Sequence, residues 1–406
     1  MEMLVPLRSL ASWLVAATLM TGNAVKAEES VLNMETMQRQ ALASTLVELA
    51  FSPTQQALFV SAPDWKDPTK SSVLRLNPTT LQVEARIPQR VKGFGVALDD
   101  QNHRLYLTQG MDGGVGVVDI ASDRSLPAIK VQEKVNLEAA YRKVGIEGAR
   151  LDYLLAELKR FKISDDYLYK LREAKFDAQT GRLFLPGLGY GVESVLFVVN
   201  TRTQKLEKVV PGFGFYAVGI ALDEKGRRVF VSNMQGQLMT LNPDTLELTR
   251  TQEIQADQLL NLVYDPLTDR VIGVDQGIDR DKPRNNYLQA SYVRRSEGHR
   301  LVALDAESGK VLASEATDQV PIGLLLNQQQ QHIVVANRNG VRVDKGEGTI
   351  TVFDAKTLKR LQTLSLPPHP NSFALDSKTN TLFVTVKNDG ESIKANKPEN
   401  VVRISQ

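Results

Sequence analysis

The feature of this sequence that most restricts its fold is a repeated turn-and-strand segment. Each copy opens on Asp, Asn or Ser, continues through a short polar turn and ends in an apolar run rich in β-branched or aromatic residues. Asp and Asn favour a turn at this point, because their side chains accept hydrogen bonds from nearby backbone amides. The seven copies are SPTQQALFVSA from Ser52, DDQNHRLYLTQ from Asp99, DAQTGRLFLPG from Asp177, DEKGRRVFVSN from Asp223, DPLTDRVIGVD from Asp265, NQQQQHIVVAN from Asn327 and DSKTNTLFVTV from Asp376.

A further apolar strand that ends in Asn or Asp recurs between these copies. Its end points are Asn77, Asp119, Asn200, Asn242, Asp305 and Asp354, with residues 401–404 as a truncated seventh strand. The undisturbed spacing is about 42 residues, the length of a four-stranded propeller blade. We therefore predict an all-β fold, a seven-bladed β-propeller that occupies residues 28–406. The chain ends on the third strand of the last blade, so we expect residues 30–40 to supply the fourth strand and close the ring.

Residues 1–27 have the pattern of an export signal. Arg8 supplies the positive charge, residues 9–20 are apolar, and Val25 and Ala27 fit the small-residue positions before a cleavage site. The apolar run is shorter than the roughly 20 residues of a membrane-spanning helix. We expect cleavage after Ala27, a periplasmic location and no membrane insertion. The chain has no cysteine, which excludes disulfides, thiol nucleophiles and Cys-based metal sites.

Several strands carry a family resemblance. VFVSN (229–233), IVVAN (333–337) and LFVTV (382–386) resemble the YVTN repeat of bacterial propellers. The longer stretches GFGVALDDQNHRLYLTQG (93–110) and HPNSFALDSKTNTLFVTVKN (369–388) resemble the YncE-like family. This resemblance covers nearly all of the chain after residue 27. It implies a periplasmic seven-bladed propeller in a family to which DNA binding has been attributed, with no established enzymatic activity; the fold itself carries many functions.

Two segments lengthen the repeat. Residues 130–172, between blades two and three, are predicted to form a helical hairpin. Its apolar residues Leu151, Leu154, Leu155, Leu158 and Phe161 share one helix face, and Asn136 and Ser164 occupy positions typical of helix N-caps. This apolar stripe either packs the hairpin on the propeller or docks an envelope or outer-membrane protein. Residues 276–298 form a long loop in blade five.

All long loops are expected on one face of the propeller, which marks that face as the binding surface. The 49 Lys and Arg residues nearly balance the 47 Asp and Glu residues, so an anionic partner requires a local basic patch. Basic groups interleaved with aromatic rings are typical of single-strand nucleic-acid sites, although a solvated basic loop has the same composition. The candidate binding residues are Trp65, Arg284, Tyr287, Tyr292, Arg294, Arg295, Arg338, Arg342, Lys345 and Lys394.

The central opening is a second candidate site. Alignment of the blades places polar residues just before each first strand, where they would hold an anion or hydrogen-bond to neighbouring blades: Lys92, Lys170, Tyr216, Gln258 and His369.

We expect a non-enzymatic binding protein without metal or cofactor, because the four histidines are scattered and no catalytic motif occurs. Its ligand is predicted to be an extended anion such as single-stranded DNA, and the alternative is a protein-interaction platform. A third alternative is a calcium-dependent lactonase-type hydrolase, with acidic and amide candidates around the axis: Glu48, Glu173, Asn261 and Asp275.

Overall fold

The computed structural model describes residues 31–340 and 345–405 of the chain. The predicted export signal and its cleavage site after Ala27 lie outside these residues. The described part is a seven-bladed β-propeller, as the repeat predicted. Each blade is a twisted antiparallel sheet whose first strand lies nearest the axis and whose fourth strand lies outermost.

The strands follow the repeat in chain order. After an outer strand β1 (Gln38–Ala43), blade one comprises β2 (Leu49–Ser52), β3 (Ala57–Ala62), β4 (Ser72–Leu76) and β5 (Val83–Pro88). Blade two comprises β6 (Val96–Asp99), β7 (Arg104–Gln109), β8 (Gly114–Asp119) and β9 (Arg124–Lys130). A short pair, β10 (Val135–Asn136) and β11 (Asp165–Asp166), brackets the insertion. Blade three comprises β12 (Tyr169–Leu171) and β13 (Lys175–Asp177), which both pair with β14 (Arg182–Gly189), then β15 (Val195–Asn200) and β16 (Lys205–Val210).

The remaining blades are regular. Blade four comprises β17 (Gly219–Asp223), β18 (Arg228–Ser232), β19 (Gln237–Leu241) and β20 (Leu248–Glu253). Blade five comprises β21 (Leu259–Asp265), β22 (Arg270–Asp275), β23 (Arg300–Asp305) and β24 (Val311–Ala316). Blade six comprises β25 (Pro321–Asn327), β26 (His332–Asn337), β27 (Thr349–Asp354) and β28 (Arg360–Ser365). Blade seven comprises β29 (His369–Asp376), β30 (Thr381–Lys387) and β31 (Glu399–Ser405).

The N-terminal segment closes the ring. Strand β1 pairs antiparallel with β31, with Gln38 opposite Arg403, and so completes blade seven. The predicted pairing is confirmed, but the strand begins later than expected and only residues 38–40 fall within the predicted segment. Leu32 accounts for the later start. Its buried side chain packs between blades six and seven, so the residues ahead of β1 serve as an anchor and do not join the sheet.

The turns form for the local reason that the sequence indicated. In blade two, Asp119 Oδ1 accepts hydrogen bonds from the amides of Ala121 and Ser122, both at 3.1 Å. Asn242 Oδ1 accepts from Asp244 and Thr245 in the same way. Second and third strands are buried on both sheet faces, because each blade packs between two neighbours. The core therefore lies between blades.

Four α-helices extend from the loops within the described residues. The insertion contains α1 (Leu137–Lys143) and α2 (Gly148–Phe161), the blade-five loop contains α3 (Asp281–Leu288), and the last β30–β31 loop contains α4 (Gly390–Lys394). All four lie in connections between second and third strands or between blades, which leave a propeller on the same side. We call this side the helix-bearing face. Within residues 31–340 and 345–405, no helix combines the length and apolar character needed to cross a membrane.

The insertion is a helical hairpin, as predicted. Asn136 caps α1, because its side chain accepts a hydrogen bond from the Ala139 amide at 3.0 Å. The second predicted cap was wrong: Ser164 begins no helix and precedes β11. The stripe residues Leu151, Leu154 and Leu158 are buried against α1 and the β14–β15 loop. Gly191 permits this contact, since a Cβ there would lie 2.4 Å from the Leu154 side chain.

Candidate functional site

A cavity of about 390 Å³ lies on the propeller axis. The first strands and the segments that enter them line it, and residues at the ends of second strands contribute at the helix-bearing face. Apolar side chains such as Leu49, Ile220 and Phe373 form part of its wall. The polar and aromatic lining residues are Glu48, Trp65, Phe94, Arg172, Glu173, Lys175, Asn261, Arg338, Asn371 and Lys387.

Two carboxyl groups meet in this cavity. Glu48 enters from blade one and Glu173 from blade three, and their side chains lie within hydrogen-bonding reach of each other. Glu48 Oε2 also accepts a hydrogen bond from the Val96 amide at 2.9 Å. Burial raises the pKa of Glu48 well above its ordinary value, and the charge of Glu173 adds to the rise, while the Val96 amide and the charge of Arg172 oppose it.

Two aromatic rings at the cavity each carry a cation over one face. Trp65 lies in the β3–β4 loop, with 44% of its surface exposed, and Lys92 Nζ lies 5.4 Å from the ring centroid. Phe94 lies deeper in the connection to blade two, and Arg172 Cζ lies 5.8 Å from its centroid. This pairing can hold a planar group by stacking and a negative group by charge.

Further basic groups converge on the same wall. Arg338 donates a hydrogen bond to Asn371 Oδ1, and Asn371 Nδ2 in turn donates to the Val47 carbonyl at 3.1 Å. Lys387 is buried and donates to the Leu46 carbonyl, and it forms an ion pair with Glu399. Four basic residues, Arg172, Lys175, Arg338 and Lys387, and two acidic ones, Glu48 and Glu173, therefore line the cavity.

The five residues predicted for the central opening do not line this cavity. Lys92 lies over Trp65 at its edge, and Lys170 pairs with Asp166 of the insertion at 2.6 Å. Tyr216 stacks on Phe215 with the centroids 4.1 Å apart, and burial raises the pKa of its hydroxyl to about 12. The alignment placed the axial positions a few residues too early: Arg172, two positions after Lys170, and Asn261, three after Gln258, line the cavity.

Gln258 and His369 have structural partners instead. Gln258 is buried; its side-chain amide donates to the Ile278 carbonyl, and its Oε1 accepts from the Ile278 amide. These two hydrogen bonds hold the blade-five loop. His369 is fully buried, and its Nδ1 donates to the Arg338 carbonyl at 2.9 Å. Both residues shape the surroundings of the cavity without facing it.

The blade-five loop is not a free basic surface. Arg284 is fully buried and lies over Tyr292, with its Cζ 4.4 Å from the ring centroid. Arg294 forms ion pairs with Asp279 at 3.0 Å and Asp281 at 2.8 Å. Arg295 pairs with Glu253 and donates to the Gly236 carbonyl at 2.7 Å. Arg284 is thus inaccessible to a ligand, and Arg294 and Arg295 already bind carboxylates at the surface.

The two predicted tyrosines of that loop also have internal partners. Tyr292 donates its hydroxyl hydrogen to Asp257 Oδ1 at 2.8 Å, and burial together with this carboxylate raises its pKa. Tyr287 packs against Phe215, with centroids 5.3 Å apart, and Arg150 of α2 lies 4.6 Å above its ring. Tyr287 therefore fastens the insertion to the loop.

The remaining predicted loop residues differ in position. Arg338 lines the axial cavity, and Arg342 lies outside the described residues. Lys345 is exposed beside Glu347 at 3.5 Å, and Lys394 is exposed in the last turn of α4. Among the nine of these ten loop residues that the structure describes, only Trp65 and Arg338 line the same cavity.

The hydrolase candidates are partly gathered. Glu48, Glu173 and Asn261 line the cavity, whereas Asp275 is buried beneath the blade-five loop, where it accepts the Gln258 amide at 3.1 Å. The Asn261 side-chain amide donates to the Ile322 carbonyl. In the part of the chain that the structure describes, no group of three or more His, Asp or Glu side chains has the arrangement of a metal site.

Sequence reasoning missed Phe94, Arg172, Lys175 and Asn371. Their positions could have been recognised, since each lies within a few residues of a first strand. The blade alignment instead assigned the axial position to residues a few places earlier in the sequence. Phe161 was predicted in the apolar stripe and is instead 55% exposed, because α2 ends there.

Comparison with known proteins supports the resemblance. No family model matches the chain. It is 24% identical over 406 residues to the uncharacterized protein YncE of Salmonella typhimurium, which covers 98% of this chain and 99% of that protein. The uncharacterized protein YncE of Escherichia coli O157:H7 is 25% identical over 402 residues, again covering 98% of this chain and 99% of the relative. The similarity to YncE proteins over nearly the full length is thereby confirmed.

Proposed function

We propose that this YncE-like seven-bladed β-propeller is a binding protein. Its helix-bearing face binds an extended anionic ligand, single-stranded DNA, at the rim of the axial cavity. The proposal keeps the ligand class expected from the sequence. The residues proposed to contact the ligand are now those at the axial cavity, in place of those in the blade-five loop. We include export to the periplasm in the proposal, on the pattern of residues 1–27.

The exposed ring of Trp65 is the observation that carries this proposal. The ring leaves 44% of its surface in solvent and lines the axial cavity, so a ligand at the rim can reach it. Lys92 lies over the ring, and the cavity that Arg172 and Lys175 line opens beside it. Bases stack on such rings while phosphates meet the basic groups, and this requires no particular base sequence.

The ion-paired arginines of the blade-five loop also favour a ligand site at the axis. A guanidinium group that already holds two carboxylates, as in Arg294, gains little from a phosphate. Lys92, Arg172 and Lys175 are close to the cavity and are better placed for that role. We propose binding without catalysis, because the sequence contains no nucleophile-elbow, phosphate-loop or metalloprotease motif.

Anisotropy of a fluorescein-labelled oligodeoxythymidine tests the proposal. At low salt the protein should bind with a dissociation constant in the micromolar range or below. Trp65→Ala should weaken binding about 5- to 150-fold, since one stacked base contributes roughly 1–3 kcal/mol. Trp65→Phe should retain most of the affinity. The matched control is Phe161→Ala, which removes another exposed ring from the same face and should change nothing.

Two results would contradict the proposal. One is the absence of oligonucleotide binding at low salt. The other is equal affinity for duplex and single strands, because the stacked and paired bases of a duplex cannot reach Trp65.

A second candidate is a protein-interaction platform on the insertion. It is favoured by Phe161 and Ile163, which are 55% and 38% exposed beside a small apolar pocket of about 110 Å³. Phe161→Glu should then abolish co-purification of an envelope partner, whereas Val209→Glu, at an exposed apolar position on blade three, should retain it. If both variants lost the partner, the result would contradict a specific docking surface on the insertion.

A further inference from the structure

The contact between Glu48 and Glu173 has an unusual hydrogen-bonding arrangement. Glu173 Oε1 is buried, and no N–H or O–H group of the described protein donates to it. The nearest cation is Arg172, whose Nε lies 3.6 Å from this oxygen, beyond hydrogen-bonding distance. Glu48 is within reach and is itself a carboxyl group. A proton on Glu48 is therefore the donor that this geometry provides for Glu173.

Two ionised carboxylates in contact would repel each other, and a shared proton removes that repulsion. A bound cation would be the other solution. The charges that face the pair argue against it, because Arg172, Lys175 and Arg338 line the same cavity and Lys387 lies behind with its partner Glu399. The positive charge of Arg172 beside the pair would repel a bound cation, whereas a proton leaves room for an anion.

We infer that Glu48 and Glu173 share one proton, and that the loss of this proton weakens the binding of an anionic ligand in the axial cavity. The inference rests on the proposed function, since it describes how that same site is regulated. With the proton, the pair carries one negative charge against the basic residues of the cavity. Without it, a second negative charge faces the ligand. Anion affinity then falls as the pH rises.

The pKa of Glu48, raised by burial and then by Glu173, moves this transition from the usual acidic range towards neutral pH. Other titratable groups lie nearby: His369 is buried behind Arg338, and Arg172 faces the pair directly. The test must therefore separate Glu48 from the imidazole of His369, which lies behind the same wall of the cavity.

The test measures the affinity of unlabelled oligodeoxythymidine by calorimetry from about pH 5 to about pH 8 at constant ionic strength, a range in which the bases and phosphodiesters of this probe do not titrate. The wild-type affinity should fall by up to tenfold per pH unit, the limit for one proton. Glu48→Gln keeps the neutral form, so it should bind at every pH as the wild type binds in acid. Glu391→Gln, an exposed acid of α4 on the same face, should keep the wild-type slope. A parallel titration adds calcium or a chelator.

Each outcome decides the inference. A wild-type slope that persists in Glu48→Gln would assign the effect to another group, such as His369, and overturn it. A gain in stability with calcium that disappears in Glu48→Gln would make the pair a metal site and also overturn it. Binding that is independent of pH overturns the inference alone and leaves the proposed function intact. The absence of binding at every pH contradicts both.

Discussion

Leu32 and Gln362 form two hydrogen bonds across 330 positions of the sequence. The Leu32 amide donates to Gln362 Oε1 at 2.8 Å, and Gln362 Nε2 donates to the Leu32 carbonyl at 3.0 Å. The side chain of Leu32 enters the core between blades six and seven at the same point. These contacts hold the N-terminal segment in position before it forms the last strand of blade seven.

Ring closure should therefore depend on Leu32. Its replacement by Ala should lower the free energy of unfolding by about 2–5 kcal/mol, the range for a buried leucine that leaves a cavity. Leu267→Ala is the control, because Leu267 is 69% exposed in a turn of blade five. Urea unfolding of both variants gives the comparison. Equal stability of Leu32→Ala and the wild type would show that this anchor does not contribute to closure.

The stability of the protein should depend on pH through Glu48. Its pKa is raised in the folded state, so the unfolded chain loses this proton first as the pH rises above about 4.5. The wild type then loses stability until the pH passes the folded pKa, at about 1.4 kcal/mol for each unit of difference. Glu48→Gln lacks this loss. Its stability relative to the wild type should increase between acid and neutral pH in urea titrations, and a constant difference would refute a raised pKa.

The salt dependence of oligonucleotide binding should identify the residues that contact phosphate. Each contact contributes about −0.7 to the slope of log affinity against log salt for single strands. Lys92→Ala should flatten the slope by about one such contact. The double variant Arg294→Ala and Arg295→Ala should leave the slope unchanged, because both guanidinium groups are bound to carboxylates. A flatter slope in the double variant would return the site to the blade-five loop.

On the face opposite the helices, the ion pair between Asp177 and Arg227 stabilises the packing of two blades. Asp177 is fully buried, and Arg227 binds it with two hydrogen bonds of 3.0 and 2.7 Å that join blades three and four. Burial acts to raise the pKa of Asp177, but Arg227, together with hydrogen bonds from Thr180 and the Gln179 amide, holds the pKa below its ordinary value. Arg227→Ala should cost about 3–5 kcal/mol, because it leaves a buried carboxylate without its partner.

Arg250 provides the control for that variant. It pairs with Glu307 on the surface, where solvent screens an ion pair so that it contributes little to stability. Chemical unfolding at neutral pH should separate the two variants clearly. The deficit of Arg227→Ala should also shrink in acid, since the stability from a carboxylate of lowered pKa is lost as the pH falls through the folded pKa. Similar losses for both arginines would contradict a special role for the buried pair.

The architecture was open to prediction because its causes are local. Asp119 and Asn242 form their turns with amides two and three residues away, and the strands follow directly. The helical hairpin was also visible, since the i, i+3, i+4 spacing of Leu151, Leu154 and Leu155 lies within one segment. The start of β1 was not, because it depends on Leu32 finding its place between two blades that are formed by the end of the chain.

The sequence by itself determined the number of blades, the turns between strands and the side on which the long loops emerge, since each follows from patterns repeated about every 42 residues. Only the tertiary structure decided which charges are available to a ligand. Arg295 is neutralised by Glu253 of the neighbouring blade, and Glu48 meets Glu173 from a blade two positions away. Such contacts join distant parts of the chain at distances of a few ångströms. A local repeat carries no information on them, because it specifies each blade separately and leaves open which side chains face one another across the axis.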